Sequence, residues 1–193
     1  MNLEKLVTNL EKLGYTVKVF EDIDSANDYI CANVTNTTVG VGGSMTIEQM
    51  GLYELLEKNN TVYWHWQEDE LQKAATTDVY MSSVNGISED GEIINIDGTG
   101  NRVASTLYGH KKVYFILGTN KIADNYDLAL DRARNIAAVN NAIRLKRNTP
   151  CVTTHKCMNC SSPDRICRGL TVLWGKPKGS AYEVIIIKKE LGY

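Results

Sequence analysis

Apolar positions recur along the chain with two alternating periods. Leu3, Leu6, Val7, Leu10 and Leu13 fall at helical spacing and Gly14 follows as a stop, which predicts an N-terminal helix. Tyr15–Phe20 alternates with period two and reads as a strand. Ile23, Ala26, Ile30 and Val34 form one helical stripe over Asp22–Val34. The β-branched run Thr37–Val41 then leads into Gly40-Val41-Gly42-Gly43-Ser44, and a helical pattern resumes from Met45 to about Lys58, weakened at Gly51. Thr61–Trp64 predicts a further strand. Helices alternating with short strands are the pattern of an α/β fold with a mainly parallel sheet flanked by helices.

The middle of the chain reads differently. Asp78–Val84 and Glu92–Ile96 flank the turn-rich stretch Asn85–Gly91, which predicts an antiparallel pair inserted in the sheet. Gly100–Tyr108 is a short helix, and Lys112–Leu117, almost wholly apolar after its lysines, is a central strand buried on both faces. Asp124 is placed to cap a long helix lined by Tyr126, Leu130, Ala133, Ala137 and Asn140, with Arg144, Lys146 and Arg147 near its C-terminal end. Two strands, Leu170–Trp174 and Tyr182–Lys188, close the pattern. With no internal repeat or low-complexity linker, residues 1–193 are expected to form one domain carrying a cysteine-rich insertion at 151–167.

Composition narrows the function classes. The 193 residues are 43% hydrophobic and 23% charged, which excludes a disordered tail, a collagen and a simple coiled coil. The net charge of −2 supplies no drive toward nucleic acid or anionic lipid. No apolar run approaches the ~20 residues of a membrane span, and the amphipathic start Met-Asn-Leu-Glu-Lys-Leu has no signal-peptide core. A cytoplasmic protein is expected.

Of five cysteines, Cys31 stands alone in a helical pattern, while Cys151, Cys157, Cys160 and Cys167 crowd into 17 residues. An odd count without a signal peptide speaks against a disulfide framework. The spacing Cys-x5-Cys-x2-Cys-x6-Cys offers four thiolates to zinc or to an iron–sulfur cluster; the other reading is free thiols. The segment has few apolar residues to hold it together, which favours the metal reading. His155 beside it could replace one ligand, while His65, between Trp64 and Trp66, reads as structural.

Three loops follow strands, where ligands of open α/β sheets collect. Gly42, Gly43 and Ser44 precede a helix N-terminus that would suit an anion. Asp97, Asn101 and Arg102 lie in Asn95–Arg102, and a cation in a first helical turn runs against the macrodipole unless an anion answers it. Asn120 and Lys121 follow the central strand. All eight residues are expected to converge on one edge of the sheet and bind an anionic small molecule. The competing reading is that they only turn and cap the chain.

Val41-Gly42-Gly43-Ser44-Met45-Thr46, Asp90-Gly91, Asn95-Ile96-Asp97-Gly98-Thr99-Gly100-Asn101-Arg102 and Asn120-Lys121 resemble the LUD domain family of lactate-utilisation proteins. The tail from Thr149-Pro150-Cys151 through Ser162-Pro163-Asp164-Arg165-Ile166-Cys167 resembles the cysteine-bearing branch of its short members. The resemblance implies a fold similar to ribose-5-phosphate isomerase, glucosamine-6-phosphate isomerase and CoA transferases. It also implies a link to lactate oxidation beside iron–sulfur partner proteins. No position matches the catalytic glutamate of CoA transferases; Glu48 is a candidate by location only. Three functions stay open: a protein of lactate or related 2-hydroxy-acid metabolism that binds an anion; an enzyme acting on a sugar phosphate or acyl-CoA with Glu48 or Asp97 as base; and a non-catalytic redox-sensing or partner-binding subunit. Association of identical subunits stays open as well.

Overall fold

The computed structural model describes residues 1–67 and 70–193. Six strands form one all-parallel sheet: β1 (Thr16–Phe20), β2 (Thr38–Val41), β3 (Thr61–Trp64), β4 (Val79–Ser82), β7 (Lys112–Gly118) and β10 (Ala181–Ile187), in the order β1-β10-β7-β4-β2-β3. The central strands are apolar throughout because both faces are covered. Tyr114 and Ile116 of β7 join Ile185 and Ile187 of β10 in a core that includes Ala26, Ile30 and Ile47. Val113, Phe115 and Leu117 join Val184 and Ile186 in a second core, with Leu6 and Leu10 of α1 (Leu3–Lys12). The fold is therefore α/β, a mainly parallel six-stranded sheet flanked by helices.

Local signals place most elements. Asn2 accepts a hydrogen bond from Lys5 N at 3.0 Å to start α1, and Asp22 accepts from Ser25 N at 2.9 Å to start α2 (Ile23–Asn33). The helical pattern after Ser44 divides into α3 (Met45–Gln49) and α4 (Leu52–Glu57), because Gly51 takes φ +61° between them. Two further short helices are α5 (Leu71–Ala74) and α6 (Asn101–Leu107). No helix among the described residues is long and apolar enough to cross a membrane.

Three local expectations are corrected. The antiparallel partner of β6 (Ile93–Asp97) is β5 (Gly86–Ser88), not the run before Asn85, which is the parallel strand β4. This hairpin is not inserted in the first sheet either. With β8 (Ile122–Ala123) and β9 (Gly169–Leu173) it forms a second sheet, ordered β8-β5-β6-β9. The cap of the long helix is Asn125, whose side chain accepts from Leu128 N at 3.0 Å, rather than Asp124.

That helix is itself composite: α7 (Tyr126–Arg132), a π turn over Ala133–Ala137, then α8 (Ala138–Arg144). The wider i→i+5 turn inserts one residue and shifts the two halves in register. Arg132 is thereby buried under the strand ends, while Ala137, Ala138, Asn141 and Arg144 face a cavity.

Candidate functional site

Parallel strands carry their C-terminal ends to one edge. The residues just beyond β2, β3, β4 and β7, together with the stretch after β10, therefore meet there and face the loop that follows β6 of the second sheet. Between them lies a cavity of about 320 Å³. Of the sequence candidates, Gly43, Ser44, Asp97, Asn101, Arg102 and Lys121 line it. Gly42 lies behind it, against Tyr80 and Arg102. Asn120 serves the chain instead: its Oδ1 accepts from Leu191 N at 3.1 Å. Glu48 is exposed on α3 and does not line the cavity.

The glycine loop has a different local role from the one its composition suggests. A Cβ on Gly43 would fall 2.6 Å from both His65 Nε2 and Trp66 Nε1, so the close approach serves protein side chains. Ser44 Oγ accepts from Ile47 N at 3.3 Å, which caps the five-residue α3 from within. Gly43→Ala is expected to displace His65 and Trp66 and to cost about 1–3 kcal/mol, the usual penalty of overpacking. Trp66 stacks on Trp64 at 4.9 Å, so a change in the near-ultraviolet circular dichroism of that pair would report the displacement.

Asp97 and Asn101 build the opposite wall. The Asp97 carboxylate accepts from Thr99 N at 3.3 Å and Val103 N at 3.2 Å, turning the loop into α6. Asn101 Nδ2 lies 2.8 Å from His65 Nδ1, while its buried Oδ1 has no partner among the described residues. Burial holds His65 below the usual imidazole range; Asp97 opposes that shift, and Arg102 and Arg144 reinforce it. His65 is thus part of the cavity, and its ring accepts from Asn101 in the neutral form.

The cations dominate the electrostatics. Arg102 donates to Asn95 Oδ1 (2.6 Å), Ile96 O (2.7 Å), Asn85 Oδ1 (3.2 Å) and Ser83 O (3.4 Å). Every acceptor is neutral. Lys121 Nζ is buried and donates to Thr46 Oγ1 and Ser83 Oγ, each at 3.0 Å. Beneath it, Arg132 donates to Asn85 O (2.5 Å), Asn120 O (2.8 Å) and Tyr193 O (3.2 Å). None of these three cations enters an ion pair among the described residues. Burial lowers all three. Arg132 falls to about 10 and stays charged at neutral pH, whereas burial with Arg132 and Arg102 beside it brings Lys121 down to about 7. At the rim, Arg144 lies over the Trp66 ring, 5.0 Å from its centroid.

Sequence reasoning missed Arg132, His65, Thr46 and Ser83. An arginine among helical Asp131, Ala133 and Arg134 reads as solvated, Ser83 carries no motif, and Thr46 closes the Val41–Thr46 stretch without a role assigned to it. The alternation of Trp64, His65 and Trp66 was the one available signal, since it leaves the ring just past a strand end.

The cysteine segment is arranged differently from expectation. Beyond α9 (Pro150–Thr154), residues 155–168 form no helix or strand. Their cohesion comes from arginines. Arg165 donates to Cys160 O at 2.7 Å and Cys167 O at 2.8 Å, and Arg168 donates to Pro163 O at 2.6 Å. Asp164 accepts from Asn148 N at 2.5 Å, and Cys157 N donates to Asn135 Oδ1 at 2.9 Å. Cys157 and Cys167 line a separate cavity with Arg134, Arg165 and Arg168. Cys151 lies instead beside Thr149, 3.2 Å from its hydroxyl. Among the described residues, no three His, Cys, Asp or Glu side chains gather as a metal-holding group. As arranged, the four thiols do not fit a zinc ion or an iron–sulfur cluster.

The same fold occurs in a DUF162 family protein from Deinococcus radiodurans, with a TM-score of 0.56 and 14% identity, covering 96% of this chain and 95% of that one. A likeness at that identity establishes the fold alone. A comparison with curated proteins returned no match. The family model described as LUD domain matches residues 3–187, which takes in both sheets and the cavity lining apart from Tyr193; the chain belongs to the LUD domain family.

Proposed function

We propose that the strand-end cavity binds a small organic anion carrying a hydroxyl group, a 2-hydroxy acid such as lactate or a relative of it. One observation carries this reading: Arg102, Lys121 and Arg132 converge with no Asp or Glu side chain paired to any of them among the described residues. Buried cations without such a partner are costly, and an anionic ligand would relieve that cost. Asn101 Oδ1 is a buried acceptor without a donor, which a ligand hydroxyl would satisfy. The volume is at the lower end of small-molecule sites, about 300–1,000 Å³. The lactate connection itself rests on family membership.

A sugar phosphate presents the same two features, so melting temperature should be compared across lactate, ribose 5-phosphate and their uncharged analogues lactamide and ribose. The anions are expected to stabilise the protein, by about 2.7 kcal/mol at a hundredfold excess over Kd, and the neutral analogues are not. Asn101→Ala should weaken binding of the hydroxylated anion more than that of propionate. Equal shifts with charged and uncharged compounds, or none with any anion at millimolar concentration, would refute the reading.

A further inference from the structure

Among the three converging cations, Lys121 differs in kind. The guanidinium groups of Arg102 and Arg132 hold their charge at neutral pH and are occupied by fixed carbonyl and amide oxygens. Lys121 carries a primary amine, buried yet lining the cavity, with two hydroxyls and no carboxylate as partners. Desolvation and two neighbouring positive charges both favour the neutral amine, which is the nucleophilic form. The cavity is thus lined by Arg102, a permanent cation suited to an anion, and beside it by an amine that gives up its proton readily, with Arg132 beneath.

We infer that Lys121 Nζ is a nucleophile that condenses with the carbonyl group of a small anion bound in the cavity, forming an imine. The ligand class is an anion with an aldehyde or ketone, such as a 2-oxo acid or an open-chain aldose phosphate. The nitrogen lone pair forms a bond to the carbonyl carbon, and the displaced π pair takes a proton at oxygen. The carbinolamine then loses that oxygen as water, giving C=N with no change of oxidation state. The Thr46 and Ser83 hydroxyls, 3.0 Å from Nζ and 3.2 Å from each other, are placed to carry the proton from nitrogen to the departing hydroxyl. Imine formation presupposes the anion-binding reading above and adds the carbonyl to it.

The full chain is incubated with pyruvate or with ribose 5-phosphate, reduced with borohydride, and analysed by intact mass and peptide mapping. One adduct per chain is expected, with a mass gain equal to the carbonyl compound less one oxygen, mapped to Lys121. It should exceed labelling at any other lysine at least tenfold and vanish in Lys121→Arg. The trapping rate should rise as pH increases through about 7; the charged groups facing the amine, Arg102 and Arg132, do not titrate there. Calorimetry with the same compounds, unreduced, separates the two layers. Binding without a Lys121 adduct, or labelling spread evenly over the lysines, overturns the imine and leaves anion binding standing. Absence of both binding and adduct overturns both.

Discussion

Lys121→Met is expected to raise the melting temperature of the ligand-free protein at pH 6 and to lose that advantage as pH approaches 10. The sign follows from linkage. The amine titrates near 10.5 in the unfolded chain and at about 7 in the folded one. Between these values the unfolded state holds more protons, so wild-type stability rises with pH across that window. Below pH 7 the penalty is present in full; above 10.5 it is gone. A depression of this size corresponds to a few kcal/mol, at about 1.36 kcal/mol per pKa unit. Methionine removes the buried charge and keeps a similar shape, and Thr46 and Ser83 remain 3.2 Å apart as partners for each other. For a chain of this length each kcal/mol moves the melting point by about 2–4 °C, so a gain of roughly 5–10 °C at pH 6 is expected. The same variant should bind anions more weakly and form no imine. A variant that melts below the wild type at pH 6 would show that Lys121 serves packing rather than ligand chemistry.

Arg132→Leu is expected to act in the opposite direction. Arg132 joins three segments remote in sequence: the loop after β4 through Asn85 O, the turn after β7 through Asn120 O, and the stretch after β10 through Tyr193 O. Leucine would leave these backbone oxygens without their charged donor, and hydrogen bonds to charged groups contribute about 1.5–3 kcal/mol each. Part of that loss is offset because a desolvated charge is also removed. A net destabilisation of about 3 kcal/mol is expected, or roughly 6–12 °C. Lysine at this position should recover little, since an ammonium lacks the planar fork that spans several acceptors. Hydrogen exchange should accelerate over residues 119–123 and 188–193, where the carbonyl partners lie. Unchanged melting and unchanged exchange in Arg132→Leu would show that the strand ends hold their positions without it.

These two residues also mark how far local reasoning reaches. Gly118-Thr119-Asn120-Lys121 is recognisable as a loop after a buried strand, but the burial of Lys121 arises only when Thr46 arrives on α3 and Ser83 just past β4. Arg132 carries no local mark at all, because the π turn that sets its register depends on packing along the whole helix. The hairpin was misplaced for a related reason. Val79–Ser82 reads as a strand in either orientation, and only its pairing with β2 and β7 makes it parallel. In the cysteine segment, sparse apolar content suggested a bound metal; the contacts seen there are made by Arg165 and Arg168, whose reach to backbone carbonyls no spacing of thiols discloses.

By itself the sequence determined the alternation of helices and strands, the doubly covered central strand at Lys112–Leu117, and three loops at strand ends. These follow from side-chain period and from turn residues, which act within a few positions. Only the tertiary structure decided that the hairpin belongs to a second sheet, that Glu48 and Asn120 stand outside the cavity, that the four thiols are not gathered, and that three cations meet with no Asp or Glu paired to them. Those outcomes depend on strand order and on distances between segments far apart in the chain, 75 residues for Lys121 and Thr46. Desolvation and charge–charge repulsion, which set the state of Lys121, are properties of that assembled neighbourhood and of no local pattern.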